Sequence, residues 1–127
     1  MAVGIKGIGQ IHISVADVDR AVEFYRDMLG LPFLFRVPGQ PMAFFDCGGV
    51  RLMLGVPESP AVDHPSSVLY YRVEDLRAAH ATLTGRGVRF ENEPHLVARL
   101  PDHELWMAFF RDVDANLLAL MSEVRPR

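Results

Sequence analysis

The chain has 127 residues, half of them hydrophobic, a formal net charge of −3 and a single cysteine. That length suits one domain with a substantial core, Cys47 excludes an internal disulfide, and one lysine among dispersed arginines leaves no basic stripe for a nucleic-acid backbone. No run approaches the roughly 18 consecutive apolar residues of a membrane span, and the N-terminus lacks a signal-peptide pattern, so a soluble cytoplasmic protein with neither nucleic-acid nor membrane partners is expected.

Ile8 to Val15 alternates as a strand does, with Ile11, Ile13 and Val15 on one side and Gln10, His12 and Ser14 on the other. Asp17 caps a helix expected from about Val18 to Leu29, whose buried stripe is Val18, Ala21, Val22, Phe24, Tyr25 and Leu29; Gly30 ends it and Pro32 blocks continuation. Strands are expected near Phe33 to Val37, Met42 to Asp46 and Val50 to Leu54, separated by a Pro-Gly-Gln-Pro turn and a Cys-Gly-Gly turn. The order is βαβββ. Cys47, between Asp46 and two glycines, reads as a packed thiol rather than a nucleophile.

Pro57 to Pro65 is a polar connector. Beyond it come a strand from Ser67 to Val73, a helix from Leu76 to Leu83 stopped by Gly85 and Gly87, and strands at Val88 to Glu91, Leu105 to Phe110 and Leu117 to Met121. The segment from Asn92 to His103 reads as an insertion able to act as a lid. The second half is again βαβββ. Val15-Ala16-Asp17-Val18 is echoed by Val73-Glu74-Asp75-Leu76, and Met42-Ala43-Phe44-Phe45 by Met107-Ala108-Phe109-Phe110. Units of about 60 residues bury little surface separately, so the repeat predicts paired modules: the first at about 5–56, a linker at about 57–66 and the second at about 67–123, within one domain of residues 1–127.

The run from Val15 through Asp17, Ala21, Phe24 and Tyr25 to Leu29-Gly30-Leu31 resembles the vicinal oxygen chelate superfamily of glyoxalases, bleomycin-resistance proteins and dioxygenases. Arg111-Asp112-Val113-Asp114-Ala115-Asn116 resembles that family's Asp-Pro-Asp-Gly-Asn turn. The resemblance covers essentially the whole chain. It implies an α+β fold in which two βαβββ modules form curved sheets around a cup, and a homodimer. Family enzymes place a metal in the cup, held by a His-type ligand on the first strand of each half and a Glu-type ligand on the last. Here those positions fall on Gln10, Val68, Met53 and Ala119. Valine and alanine donate nothing, and a thioether favours soft ions. No metal or other cofactor is therefore expected.

His12 shares its strand face with Gln10 and is a candidate acid or base, with His103 and Glu104 as further catalytic candidates. Candidate ligand contacts are Gln10, Arg51, Met53, Tyr70, Arg72, His95 and Trp106: Trp106 as a flat wall, Arg51 and Arg72 as partners of a carboxylate or phosphate unless tied in surface ion pairs. The reading is a binder of a hydrophobic or aromatic small molecule, either sequestering it or acting on it without metal. The alternative is a metal-dependent lyase, isomerase or dioxygenase with ligands displaced to His12, His95, His103 and Glu104.

Overall fold

The structure is a computed structural model, described for residues 3–4, 6–57 and 67–126. Most of the expected linker lies outside the described residues. The chain divides into two compact units, Met1–Pro65 and Ser66–Arg127, each built on one four-stranded sheet and one helix.

In the first unit, strand β1 (Gln10–Ser14) leads to helix α1 (Val18–Val22). Asp17 caps α1, its carboxylate accepting from the Arg20 N–H at 3.2 Å, which satisfies one of the donors every helix start leaves open. The helix continues as a wider π-helical turn over Glu23–Met28, where the Leu29 N–H reaches back five residues to the Phe24 carbonyl at 3.0 Å. Phe24 and Tyr25 are both buried there, and Tyr25 lies against Phe45. Gly30, at φ 77°, takes the left-handed turn that lets Leu31 bond back to Tyr25. Strands β2 (Phe33–Arg36), β3 (Met42–Cys47) and β4 (Val50–Gly55) complete a sheet of order β1-β4-β3-β2, with β1 parallel to β4.

The second unit repeats this plan. Strand β5 (Leu69–Arg72) precedes helix α2 (Leu76–Gly85), capped by Asp75 through the Ala78 N–H at 3.0 Å. Strands β6 (His95–Arg99), β7 (Glu104–Arg111) and β8 (Leu117–Val124) follow, in the order β5-β8-β7-β6. Gly85 ends up as the last helical residue, and Gly87, at φ 96°, makes the reversal.

One expectation is corrected here. Val88 to Glu91 is not a strand: Phe90 makes a single bridge to Phe110 and packs between that ring and His80. The strand in that slot is β6, inside the segment read as a lid. Its ladder to β7 fixes it to the sheet edge. Strands β2 and β6, each at one edge of its sheet, carry the same irregularity, a register shift between Phe33 and Phe35 in β2 and between Leu96 and Ala98 in β6. The extra residues, Leu34 and Val97, are 46% and 47% exposed. The bulge in each of these two strands twists that edge away from further pairing.

In both units one sheet face is buried beneath the helix and the other is free of it. Ile13, Leu52, Leu54 and Phe45 are buried on the α1 side, and Ala108, Phe110, Leu118 and Leu120 on the α2 side. The turn before β8 is held by buried Asp112, whose carboxylate accepts from the N–H groups of Asp114 and Asn116. In that turn Ala115 has φ 63°, the one described non-glycine residue at positive φ, where the resembling family motif has glycine. A Cβ in the left-handed region costs about 1 kcal/mol. Ala115→Gly is therefore expected to stabilise the protein by up to about 1 kcal/mol, measured as a higher urea midpoint at unchanged m-value.

Candidate functional site

The helix-free face of the first sheet is assembled by register. Gln10 stands opposite Arg51, His12 opposite Met53 and Ser14 opposite Gly55 in β1–β4, while Phe44 stands opposite Met53 in β3–β4. Because cross-strand partners share a face, Gln10, His12, Arg51, Met53 and Phe44 lie together. Their contacts are specific. The Gln10 side-chain oxygen accepts from Arg51 Nε at 2.9 Å, and its amide nitrogen donates to Met53 Sδ at 3.6 Å. The Arg51 guanidinium lies 5.6 Å from the Phe44 ring centre, and Phe35 stacks on Phe44 at 4.7 Å. His12 rests against Gly55: a Cβ there would sit 3.0 Å from the imidazole Nε2, so the glycine provides the seat of the ring.

The second sheet shows the corresponding face. Tyr70 pairs with Ala119 and Arg72 with Met121, while Phe109, Met107 and His95 join them through β7 and β6. Tyr70 meets Phe109 edge to face at 5.9 Å. His95 has its Nδ1 2.9 Å from the Glu93 carbonyl. Neither Arg51 nor Arg72 forms an ion pair among the described residues, so both charges are available.

Trp106 and Glu104 lie elsewhere. Trp106 pairs with Ser122, on the α2 side of the sheet. Its indole N–H donates to Glu104 Oε1 at 3.2 Å, and Glu104 Oε2 accepts from Arg99 Nε at 3.2 Å. Both hydrogen bonds, Trp106 foremost, hold the Glu104 carboxyl below its usual range. They border a recess of about 400 Å³ beside the start of α2. His103 borders another recess with Asp102 and Arg125, its Nδ1 2.8 Å from Asp102 Oδ1.

These placements bear on metal binding. His95 and Glu104 face opposite sides of one sheet, so within this unit they cannot converge on an ion. Among the described residues no three His, Cys, Asp or Glu side chains are grouped to hold one. At the four positions of the family's centre the one hard donor is the Gln10 oxygen, and a guanidinium already occupies it. A divalent ion there would face Arg51. The residues present do not fit such a centre. Burial first and then Asp46 push the Cys47 thiol up, which disfavours its thiolate.

Residues 7–120 match the family model of the Glyoxalase/Bleomycin resistance protein/Dioxygenase superfamily. The chain belongs to this superfamily. An uncharacterized protein, YraH of Bacillus subtilis, is 32% identical over 126 aligned positions, spanning 87% of this chain and 94% of that protein. The metallothiol transferase FosB of Staphylococcus epidermidis is 46% identical over 50 residues, which are 39% of this chain but 34% of FosB. Among solved structures, the antibiotic-binding protein TnmS3 from a Streptomyces species superposes with a TM-score of 0.77 at 25% identity, covering 96% of this chain and 99% of its own. Membership fixes the α+β fold and leaves the activity to the residues on each sheet.

Asp102 offers a titration test of the second recess. Arg125 first, at 2.7 Å, and His103 second bring its carboxyl down to about 2 from 3.8. A depressed carboxyl favours the folded state above the unfolded pKa, so this contribution is full above about pH 4 and is lost as pH falls through about 2. Arg125→Gln is expected to return the Asp102 midpoint toward 3.8, followed by carboxyl-carbon NMR; a midpoint that stays near 2 assigns the shift to His103 instead.

Proposed function

We propose that this superfamily member binds a hydrophobic or aromatic small molecule on the helix-free sheet faces without the family's usual metal centre. The observation that carries the reading is the 2.9 Å bond from Arg51 to Gln10. It places a fixed positive charge where a metal enzyme of this family needs a cation, and an anion is what such a charge attracts. The ligand we favour is accordingly an aromatic compound bearing a carboxylate or similar group. Its anionic end meets Arg51, whose terminal nitrogens remain to donate, and its ring extends the Phe35–Phe44 stack. Tyr70, Phe109 and Arg72 repeat this pairing of aromatic surface and guanidinium on the second sheet. The antibiotic-binding function of TnmS3 supports binding without turnover as a use of this fold.

His12 is the group on the first face able to accept or donate a proton, so metal-free chemistry, if the ligand is turned over, runs through it. The resemblance to family dimers extends the proposal to a homodimer in the cytoplasm. No described helix is long and apolar enough to cross a membrane.

A thermal-shift screen of aromatic carboxylates and antibiotic-like compounds, followed by calorimetry on the hits and light scattering of the same sample, tests the proposal. A bound compound is expected to lose roughly tenfold or more in affinity with Arg51→Ala and about as much with Phe35→Ala. A chelator should change nothing. Affinity that depends on an added divalent ion contradicts the reading, and a mass of one 14.2 kDa chain contradicts the dimer.

A further inference from the structure

The recess beside Trp106 lies on the opposite side of the second sheet from the face proposed above, and it has its own chemistry. It holds about 400 Å³, within the range of small-molecule sites. Pro94, which is buried, and Ser122, whose hydroxyl donates to the Glu74 carbonyl at 3.1 Å, line it together with Trp106. Trp106 forms one wall and is locked in orientation by its bond to Glu104. The Arg77 guanidinium lies 5.7 Å from the centre of the Trp106 ring. No ion pair ties Arg77 to a carboxylate among the described residues.

The polarity of the lining follows from the same residues. Glu74, Asp75 and Glu104 border the recess together with Arg77, and Arg99 pairs with Glu104. Asp75 is committed to capping α2 and offsets the positive end of that helix. Glu104 is anchored by Trp106 and Arg99, leaving it an oriented carboxylate at the rim. An electron-rich indole face beside carboxylates is the pairing that attracts organic cations. Arg77 already uses that face as a tethered, exposed cation.

We infer that the Trp106 recess is a second ligand site, selective for a planar organic cation, which stacks on the indole in place of Arg77 and is steered by Glu104 and Glu74. This goes beyond the anion-binding face of the first sheet, shares no residue with it and takes ligands of opposite charge. Arg77 is then a built-in competitor. The sign of its effect separates this site from an anion site: removing a guanidinium weakens an anionic ligand but strengthens one that must displace it.

Trp106 is the single tryptophan of the sequence, so one indole N–H resonance reports the recess in the full chain. Titration with 1-methylquinolinium, a planar cation, is expected to move that resonance saturably, and 2-naphthoate, an anion of similar size, is not. Arg77→Ala should tighten quinolinium binding at least threefold. Glu104→Gln keeps an acceptor for the indole but removes the charge, and should weaken binding by a similar factor. The amide spectrum of each variant reports its folding. No saturable shift in a folded protein, equal binding of naphthoate, or Arg77→Ala leaving affinity unchanged or weaker would each overturn the site.

Discussion

The two-residue alternation of the central strands is the constraint on which the rest depends. β4 and β8 each pair with two neighbours, and each has a helix docked on one face. Leu52 and Leu54 must therefore point toward α1, which sends Arg51 and Met53 to the other side. A slip of one residue would bury the guanidinium and expose the leucines, a change that a core of this size does not tolerate. The core thus sets the geometry of the helix-free face: the helix-side residues choose the register, and the register decides which polar groups meet.

What meets on the first sheet is a charge that opposes the family's metal chemistry. Gln10 is the one hard donor at the four positions, and its amide is divided between Arg51 and Met53. Arg51 is in turn laid over Phe44, with Phe35 stacked beyond. The fold is retained while the donor set differs from that of the family's metal centre, a difference in chemistry that fold-level similarity does not reveal. On the second sheet the matching positions, Val68 and Ala119, hold no donor, and the same face carries aromatic surface and a guanidinium, with Tyr70 opposite Ala119 and Arg72 opposite Met121.

Much of this was legible in the sequence because alternation and caps are local signals. Asp17 and Asp75 cap as their position before an apolar run requires, and the Gln10–His12 face follows from the apolar Ile11–Ile13 face by alternation alone. Three features were not legible. The π-helical turn at Glu23–Met28 keeps nearly the same apolar pattern as an α-helix. Strand β6 is short, bulged and edge-placed, so its alternation breaks at Val97, and Val88 to Glu91, more apolar at its start, was the stronger local candidate. The face occupied by Trp106 was ambiguous because alternation groups it with Glu104 without saying which group faces the helix; Ala108 and Phe110, both fully buried, decide that. Contacts such as Arg77 over Trp106 join a helix to a strand far along the chain, and no local pattern encodes them.

The most direct test of the central claim is elemental analysis of the untagged protein by plasma mass spectrometry, before and after incubation with excess zinc, nickel, manganese and iron followed by desalting. The Gln10–Arg51 arrangement predicts well under one ion per dimer in every case. One tightly held ion per chain or per dimer, lost when His12 is replaced by alanine, would contradict it and return the protein to the metal-dependent branch of its superfamily.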